Sequence, residues 1–175
     1  MIDQRRITDY ESATGHGTAT DEAGIRQLVS FAILEQNYCI DVLAVREIRM
    51  WNGVTALPNS PDFIRGVINL RGNIVPIVDL RMRFGLGPTE PTAGHVVVIV
   101  ATDTVQFGLL VDSVADIITV SMKDVADIPQ IEGGEQNPFF QGLVTGQEGL
   151  TVLISLNEIL HHRSGDFHSK AAEAA

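Results

Sequence analysis

Cysteine is almost absent from this sequence: Cys39 is the only one among 175 residues, so no disulfide bond can form within the chain. Chains without disulfides are typical of the reducing cytoplasm, where we expect this protein to reside. Cys39 lies in the predicted strand 38–42. A buried, inert thiol is therefore a better interpretation of Cys39 than a catalytic nucleophile.

Positive charge is also scarce, since 12 lysines and arginines face 22 aspartates and glutamates and the formal net charge is −10. Nucleic acids and anionic membrane surfaces both require clustered basic residues. Neither is therefore expected as the main partner of this protein.

Long apolar runs are missing. A membrane-spanning helix needs a run of ~18 apolar residues, whereas the longest run here, 95–101, has the length of a strand. The N-terminal residues carry charges without an apolar core, which argues against a secretory signal. We expect a cytoplasmic protein that does not insert directly into the membrane.

Catalytic motifs are missing as well. The sequence contains no G-x-S-x-G elbow, no phosphate-binding loop and no C-x-x-C pair. His161 and His162 are adjacent, so on a helix they would point in different directions and could not form an i, i+4 metal pair. We expect no enzyme activity, no cofactor and no metal site.

The stretch 63–84, FIRGVINLRGNIVPIVDLRMRF, is the most informative part of the sequence. Two apolar runs, Gly66–Leu70 and Ile74–Val78, flank a tight connection in which Gly72 tolerates positive φ. This pattern predicts a β-hairpin. Asp79 is predicted to cap a short helical turn directly after it.

Alternating apolar residues and turn signals predict strands along the rest of the chain, with only short helical turns near Ser60, Asp79 and Ser155. The predicted strands outside the hairpin are 27–34, 38–42, the end of 43–50, 54–57, 95–101, 105–111, 116–121, 142–146 and 150–155. Many short strands are typical of an all-β barrel or sandwich.

The domain organisation is predicted from composition. Residues 1–24 and 161–175 are polar or alanine-rich and are expected to be flexible tails, which leaves 25–160 as the folded domain. The segment 85–94, GLGPTEPTAG, is the clearest internal break and suggests that the domain has two lobes.

A chain without site chemistry is expected to act by contact. Arg71, at the predicted hairpin tip, offers a fork of donors suited to a partner carboxylate or carbonyl. For each candidate, a solvated residue or an intramolecular ion pair is the alternative. The polar candidates set among apolar strands are Glu47, Arg49, Arg65, Arg71, Asp79 and Arg81.

The hairpin is similar to a pattern of the CheW family, the adaptors of bacterial chemotaxis. Residues 63–81 match F-I-x-G-x-x-N-L-R-G-x-I-x-P-V-x-D-L-R closely. VREI (45–48) resembles the V-x-E-I segment of the family, and FGLLVDSV (107–114) resembles its G-x-x-V-D-x-V segment. The closing region 142–158 is similar too, so the likeness covers about 27–160.

This resemblance implies two packed five-stranded SH3-like β-barrels with short helices and no catalysis. It also implies a scaffold that couples transmembrane chemoreceptors to the histidine kinase CheA. The implied partners are the regulatory domain of the kinase, the cytoplasmic tip of the receptors and other CheW-like domains in rings. The implied location is the cytoplasm, with recruitment to receptor arrays at the membrane.

The resemblance also implies contact residues, without dividing them between kinase and receptor. Val45 and Ile48 are expected to pack against a receptor helix. The full set is Val45, Glu47, Ile48, Gly66, Arg71 and Gly72. Two alternatives stay open: a β-barrel that binds a small ligand, and a CheW-like module of a related, non-chemotactic kinase pathway.

Overall fold

The computed structural model describes residues 24–134, 137–146 and 148–161. Residues 1–23 and 162–175, which make up nearly all of the two predicted tails, lie outside the described residues. Within the described part, no helix is both long and apolar enough to cross a membrane.

Ten strands dominate the described chain, and its helices are single turns. The strands are β1 (Ile25–Ile33), β2 (Gln36–Asp41), β3 (Val45–Met50), β4 (Ile64–Leu70), β5 (Asn73–Asp79), β6 (Val96–Ala101), β7 (Gln106–Val111), β8 (Ser113–Ser121), β9 (Phe140–Gly146) and β10 (Gly149–Ile154). The helices are α1 (Leu80–Arg83) and α2 (Leu156–Ile159), with 3₁₀ turns at Val42–Ala44 and Met122–Asp124.

The strands form two five-stranded sheets. The first has the order β8-β1-β2-β10-β9, and the second has the order β3-β6-β7-β5-β4. All neighbouring strands are antiparallel except β2 with β10 and β5 with β7, which are parallel. This architecture confirms the predicted all-β class with two packed five-stranded barrels.

The chain closes each sheet into a barrel in the same way. After edge strand β3, Thr55 forms a bridge with Val67 of the opposite edge strand β4. After edge strand β8, Ala126 forms a bridge with Leu143 of β9. Closure removes free strand edges that would otherwise pair with other chains.

Two lobes are present, as predicted, but the segment 85–94 does not separate them. It lies inside the second barrel, between α1 and β6. The second barrel is continuous in the chain from β3 to β7, whereas the first combines β1 and β2 with β8, β9 and β10. Composition detected a loop here, but the lobe boundary depends on which distant strands pair.

Three local predictions were wrong. Residues 54–57 form only the single bridge at Thr55, and the helical turn expected near Ser60 is instead a turn over 61–64, in which Ile64 N donates to Pro61 O. The first hairpin turns at Leu34 and Glu35 instead of 35–37. Leu34 has a φ of +54°, and its N–H donates to Asp112 Oδ2 at 2.7 Å, a remote contact that local propensity does not reveal.

The largest apolar cluster lies between the two sheets. Alternate residues of β1, such as Val29, Phe31 and Ile33, pack with Val98 and Val100 of β6 and their neighbours. The other faces form a smaller core inside each barrel. Strand β6 is therefore covered on both faces, which explains its continuous run of valine and isoleucine.

Cys39 lies in the small core of the first barrel. Burial raises the pKa of its thiol to about 12. The thiolate is the reactive form of cysteine, so this thiol is inert at neutral pH. The sequence-based interpretation of Cys39 is consistent with this position.

Arg83 connects the two barrels. It follows β5 of the second barrel on α1, yet its guanidinium donates to the carbonyl oxygens of Ile159 and His161 beside α2. Its Cζ lies 4.0 Å from the centroid of the Phe63 ring and 4.6 Å from that of Phe139. A buried charge of this kind stabilises a structure only when it is fully hydrogen-bonded.

Arg83→Met should lower the free energy of unfolding by about 2–3 kcal/mol, because methionine keeps the contact with both rings but leaves buried carbonyls without donors. Denaturant unfolding measures this difference. Arg81→Met on the same helix is the matched control and should cost about 0.5 kcal/mol or less, since Arg81 donates only a 3.4 Å bond to Leu86 O. Equal losses of unfolding free energy in the two variants would contradict the role of Arg83 in connecting the barrels.

Candidate protein-binding site

The tip of the β4–β5 hairpin is a two-residue turn. Leu70 pairs with Asn73, so Arg71 and Gly72 alone form the loop. Their φ angles are +52° and +87°, and positive values at both positions define the type I′ turn that suits a β-hairpin. Asn69 Oδ1 accepts a 2.8 Å hydrogen bond from Gly72 N and supports the turn from one side.

Arg71 pairs with Glu47 of β3. Arg71 Nη1 lies 2.9 Å from Glu47 Oε2, and Arg49 Nε lies 3.6 Å from Glu47 Oε1. The pair therefore joins the hairpin tip to the opposite edge strand of the same barrel. The sequence singled out both residues as candidates but did not show that they meet.

The ion pair leaves Arg71 accessible. Its side chain is 77% exposed, while that of Glu47 is 26% exposed. Exposed ion pairs contribute about 0–1 kcal/mol to stability, so the main effect here is to orient the guanidinium. An oriented, exposed guanidinium can donate to a carboxylate or carbonyl of a partner.

A β-bulge determines which residues of β3 share a face. Val45 pairs with Val100, but Glu47 pairs with Ile99 and Ile48 with Val98, so the register shifts at Arg46. Directly opposed residues in antiparallel strands point to the same face. Strict alternation would place Val45 and Ile48 on opposite faces, whereas the bulge places both on the side of the inter-sheet core.

The β3 apolar face consists of Val45, Ile48 and Met50, which lie opposite Val100, Val98 and Val96. Val45 is half-buried and packs against the inter-sheet core. Ile48 and Met50 continue this face beyond the core and are 48% and 61% exposed. Sequence reasoning missed Met50, although its spacing of two residues from Ile48 already places both side chains on one face of a strand.

Gly66 has a structural role that accounts for its place in the motif. It is buried, its φ is +153°, and a Cβ atom there would lie 2.2 Å from the carbonyl oxygen of Thr55. Only glycine therefore lets the segment around Thr55 close the second barrel against β4. Gly72 differs, because nothing lies within 4 Å of its Cβ position.

Asp79 is unavailable to a partner, contrary to its place among the polar candidates. It is buried, and its carboxylate accepts hydrogen bonds from Thr89 N at 2.8 Å and Thr89 Oγ1 at 2.7 Å. It also caps α1 through Met82 N, as predicted, and pairs with Arg65 at 3.2 Å. Its remote partner Thr89 is not visible in the local sequence.

The sequence that builds this site matches a known family. A sequence profile of the CheW-like domain matches residues 27–164. The chain belongs to the CheW-like family. Its resemblance at the hairpin is therefore confirmed over the whole folded region.

Curated CheW-like relatives match over most of their length. The probable chemotaxis protein CheW of Rhizobium etli is 40% identical over 78% of this chain and 88% of its own. The chemotaxis protein CheW of Rhizobium meliloti is 38% identical over 87% of this chain and 94% of its own. The chemotaxis protein CheW of Bacillus subtilis is 31% identical over 84% of this chain and 94% of its own.

A solved CheW-like structure shares the fold. The scaffolding protein CheW from Thermoanaerobacter tengcongensis has a TM-score of 0.72 and 27% sequence identity. The match covers 82% of this chain and 97% of the solved one. Relatives thus carry the names of chemotaxis and scaffolding proteins.

The two glycines of the CheW-like hairpin should respond differently to substitution. Gly66→Ala should lower the free energy of unfolding by about 3 kcal/mol or more, because the added methyl group meets the Thr55 carbonyl in a strained backbone conformation. Gly72→Ala, the matched control, should cost only about 1 kcal/mol, because the conformation is strained but the space is open. Denaturant unfolding compares them, and similar losses would contradict the barrel-closure role.

Proposed function

We propose that this protein is a non-catalytic scaffold of bacterial chemotaxis that couples chemoreceptors to a histidine kinase of the CheA type. Membership of the CheW-like family and the names of its relatives support this role. The observation that carries it is the pairing of an oriented, exposed arginine with a neighbouring exposed apolar strand face. The protein would reach the membrane through its receptor partners.

Arg71 and Glu47 are proposed to contact the regulatory domain of the kinase, or another CheW-like domain in a ring. A charged rim contact of this kind steers association and specifies a partner by complementary charge. The type I′ turn holds the guanidinium in place before binding, which lowers the entropy lost on association. Gly72 would permit close approach of the partner to the turn.

The β3 apolar face is proposed to receive the helical cytoplasmic tip of a receptor. Ile48 and Met50 are exposed beside the partly buried Val45. A helix binds such a face through apolar residues spaced three and four apart. The kinase and the receptor would then use opposite faces of the same strand.

Arg71→Ala should weaken binding to a CheA-type regulatory domain about tenfold, or about 1.4 kcal/mol. The doubly exchanged variant, Glu47→Arg with Arg71→Glu, restores an internal ion pair but not the contact. Binding of this variant to the regulatory domain should therefore stay weak. Isothermal titration calorimetry measures both affinities.

The matched control for Arg71→Ala is Arg46→Ala. Arg46 is an exposed arginine of β3 that donates to Leu43 O, and its alanine variant should bind the kinase domain normally. Added salt should lower the kinase-domain affinity of the unmodified protein more than that of Arg71→Ala, because screening acts on the charged contact. Recovery of full affinity by the exchanged variant would show that the ion pair acts only within the chain.

Ile48→Ser should reduce binding to a receptor-tip fragment by about tenfold or more, since an isoleucine buried at an interface contributes about 1.5–3 kcal/mol. The loss should not depend on salt. Leu150→Ser, a similarly exposed residue on the β9–β10 hairpin, is the control and should bind normally. Equal receptor-tip binding by the two variants in co-sedimentation or titration would contradict the proposal that the β3 apolar face binds the receptor.

A further inference from the structure

The two barrels are built on one plan, so their residues can be compared by position. In the second barrel the β4–β5 hairpin precedes α1, and β5 runs parallel to β7 with Ile77 beside Gly108. In the first barrel the β9–β10 hairpin precedes α2, and β10 runs parallel to β2 with Leu153 beside Cys39. Ile77 and Leu153 both lie two residues before the helix cap.

This equivalence identifies two replacements inside the first barrel. Ile99 is opposite Gly108 in the second barrel, and Ser30 is opposite Cys39 in the first. Val75 lies two residues before Ile77, and Thr151 lies two residues before Leu153. Ile99 and Val75 are completely buried in their core, so two hydroxyl-bearing residues stand where the other barrel has aliphatic ones.

A cavity of about 740 Å³ opens at these replacements in the first barrel. Every strand of the sheet or its hairpin turn contributes to the wall. Apolar residues form part of it and polar residues the rest. The described lining residues are Ser30, Asn37, Ala115, Asp116, Ile117, Ile118, Thr119, Val120, Val144, Thr145, Gly146, Glu148 and Thr151.

Ser30 and Thr151 line this cavity without hydrogen-bond partners for their hydroxyls among the described residues. Their residues are only 8% and 6% exposed, and neither hydroxyl makes a hydrogen bond to another described residue. The side-chain amide of Asn37, beside Thr151 in the register, also makes none. The solvent-accessible cavity reaches both hydroxyls, since Arg65 Nη2 is the only fully buried side-chain polar atom without a partner in the described part of the chain. Water or a bound molecule can therefore supply the missing hydrogen bonds.

The charge of the lining indicates the kind of molecule. Asp116 and Glu148 contribute carboxylates, and no lysine, arginine or histidine is among the described lining residues. One oxygen of Asp116 accepts a hydrogen bond from Ile117 N at 2.7 Å. Hydroxyl and carboxylate acceptors beside apolar walls suit an ammonium group on a short hydrocarbon chain.

We propose that the cavity of the first barrel binds a small aliphatic amine. The ammonium group would lie near Asp116 and Glu148, and the hydrocarbon chain against Ile118 and Val144. The inner end would meet the hydroxyls of Ser30 and Thr151. This site is separate from the candidate protein-binding site on the second barrel and does not depend on the scaffold role.

Three probes of equal length test the charge preference: 1,4-diaminobutane, 1,4-butanediol and succinate, titrated separately at millimolar concentrations and constant ionic strength. Backbone amide NMR shifts of the full chain report the site. Saturable shifts of Ser30, Asn37 and Thr151 are expected with the diamine, weaker ones with the diol and none with succinate. No saturable shift with the diamine, or equal binding of succinate, would overturn the proposal.

Ser30→Ile with Thr151→Val copies the second barrel and should fill the cavity. The diamine should then bind at least about tenfold more weakly, or about 1.4 kcal/mol. Unchanged amide NMR shifts in the second barrel serve as the test of folding. Thr151→Val alone serves if the double variant does not fold. Thr104→Val, in the β6–β7 turn, is the control. Unchanged diamine affinity in the filled barrel would also refute the site.

Discussion

The close approach of Gly66 to the Thr55 carbonyl closes the second barrel, and the candidate site depends on that closure. The segment after β3 must cross the barrel to reach β4, and a side chain at Gly66 would occupy the space that Thr55 needs. Because the crossing keeps β3 near the β4–β5 hairpin, Glu47 can reach Arg71. A buried glycine therefore controls the position of Glu47 relative to the exposed Arg71.

Strand β3 presents different chemistry on its two faces. Glu47 and Arg49 lie on one face, and Val45, Ile48 and Met50 lie on the other. The bulge at Arg46 produces this separation, since without it Val45 and Ile48 would point in opposite directions. A single strand can thus offer a charged contact to one partner and an apolar contact to another, which is what a scaffold between two proteins requires.

The two barrels share an architecture but differ in their interiors. At equivalent positions the second carries Val75 and Ile99, whereas the first carries Thr151 and Ser30, which line its cavity. The inter-sheet core and the Arg83 contacts with the end of α2 anchor the first barrel to the second.

Local sequence patterns were sufficient for most strands, for the hairpin at 63–79 and for the Asp79 cap. Alternation, turn residues and capping residues act over only a few positions, so they are readable without a structure. The ordered motif from 63 to 81 was specific enough to indicate the family. Failures occurred where a remote contact overrode local preference, as at Leu34, whose turn is held by Asp112.

Strand content, the tight turn at Gly72 and the family could all be read from the order of residues, because these depend on neighbours along the chain. The tertiary structure alone decided that the first barrel is assembled from both ends of the domain, that Glu47 meets Arg71, and that Ser30 and Thr151 face one cavity. These features depend on pairing between distant strands, and a chain of short apolar runs is compatible with many such pairings until the strands are packed together.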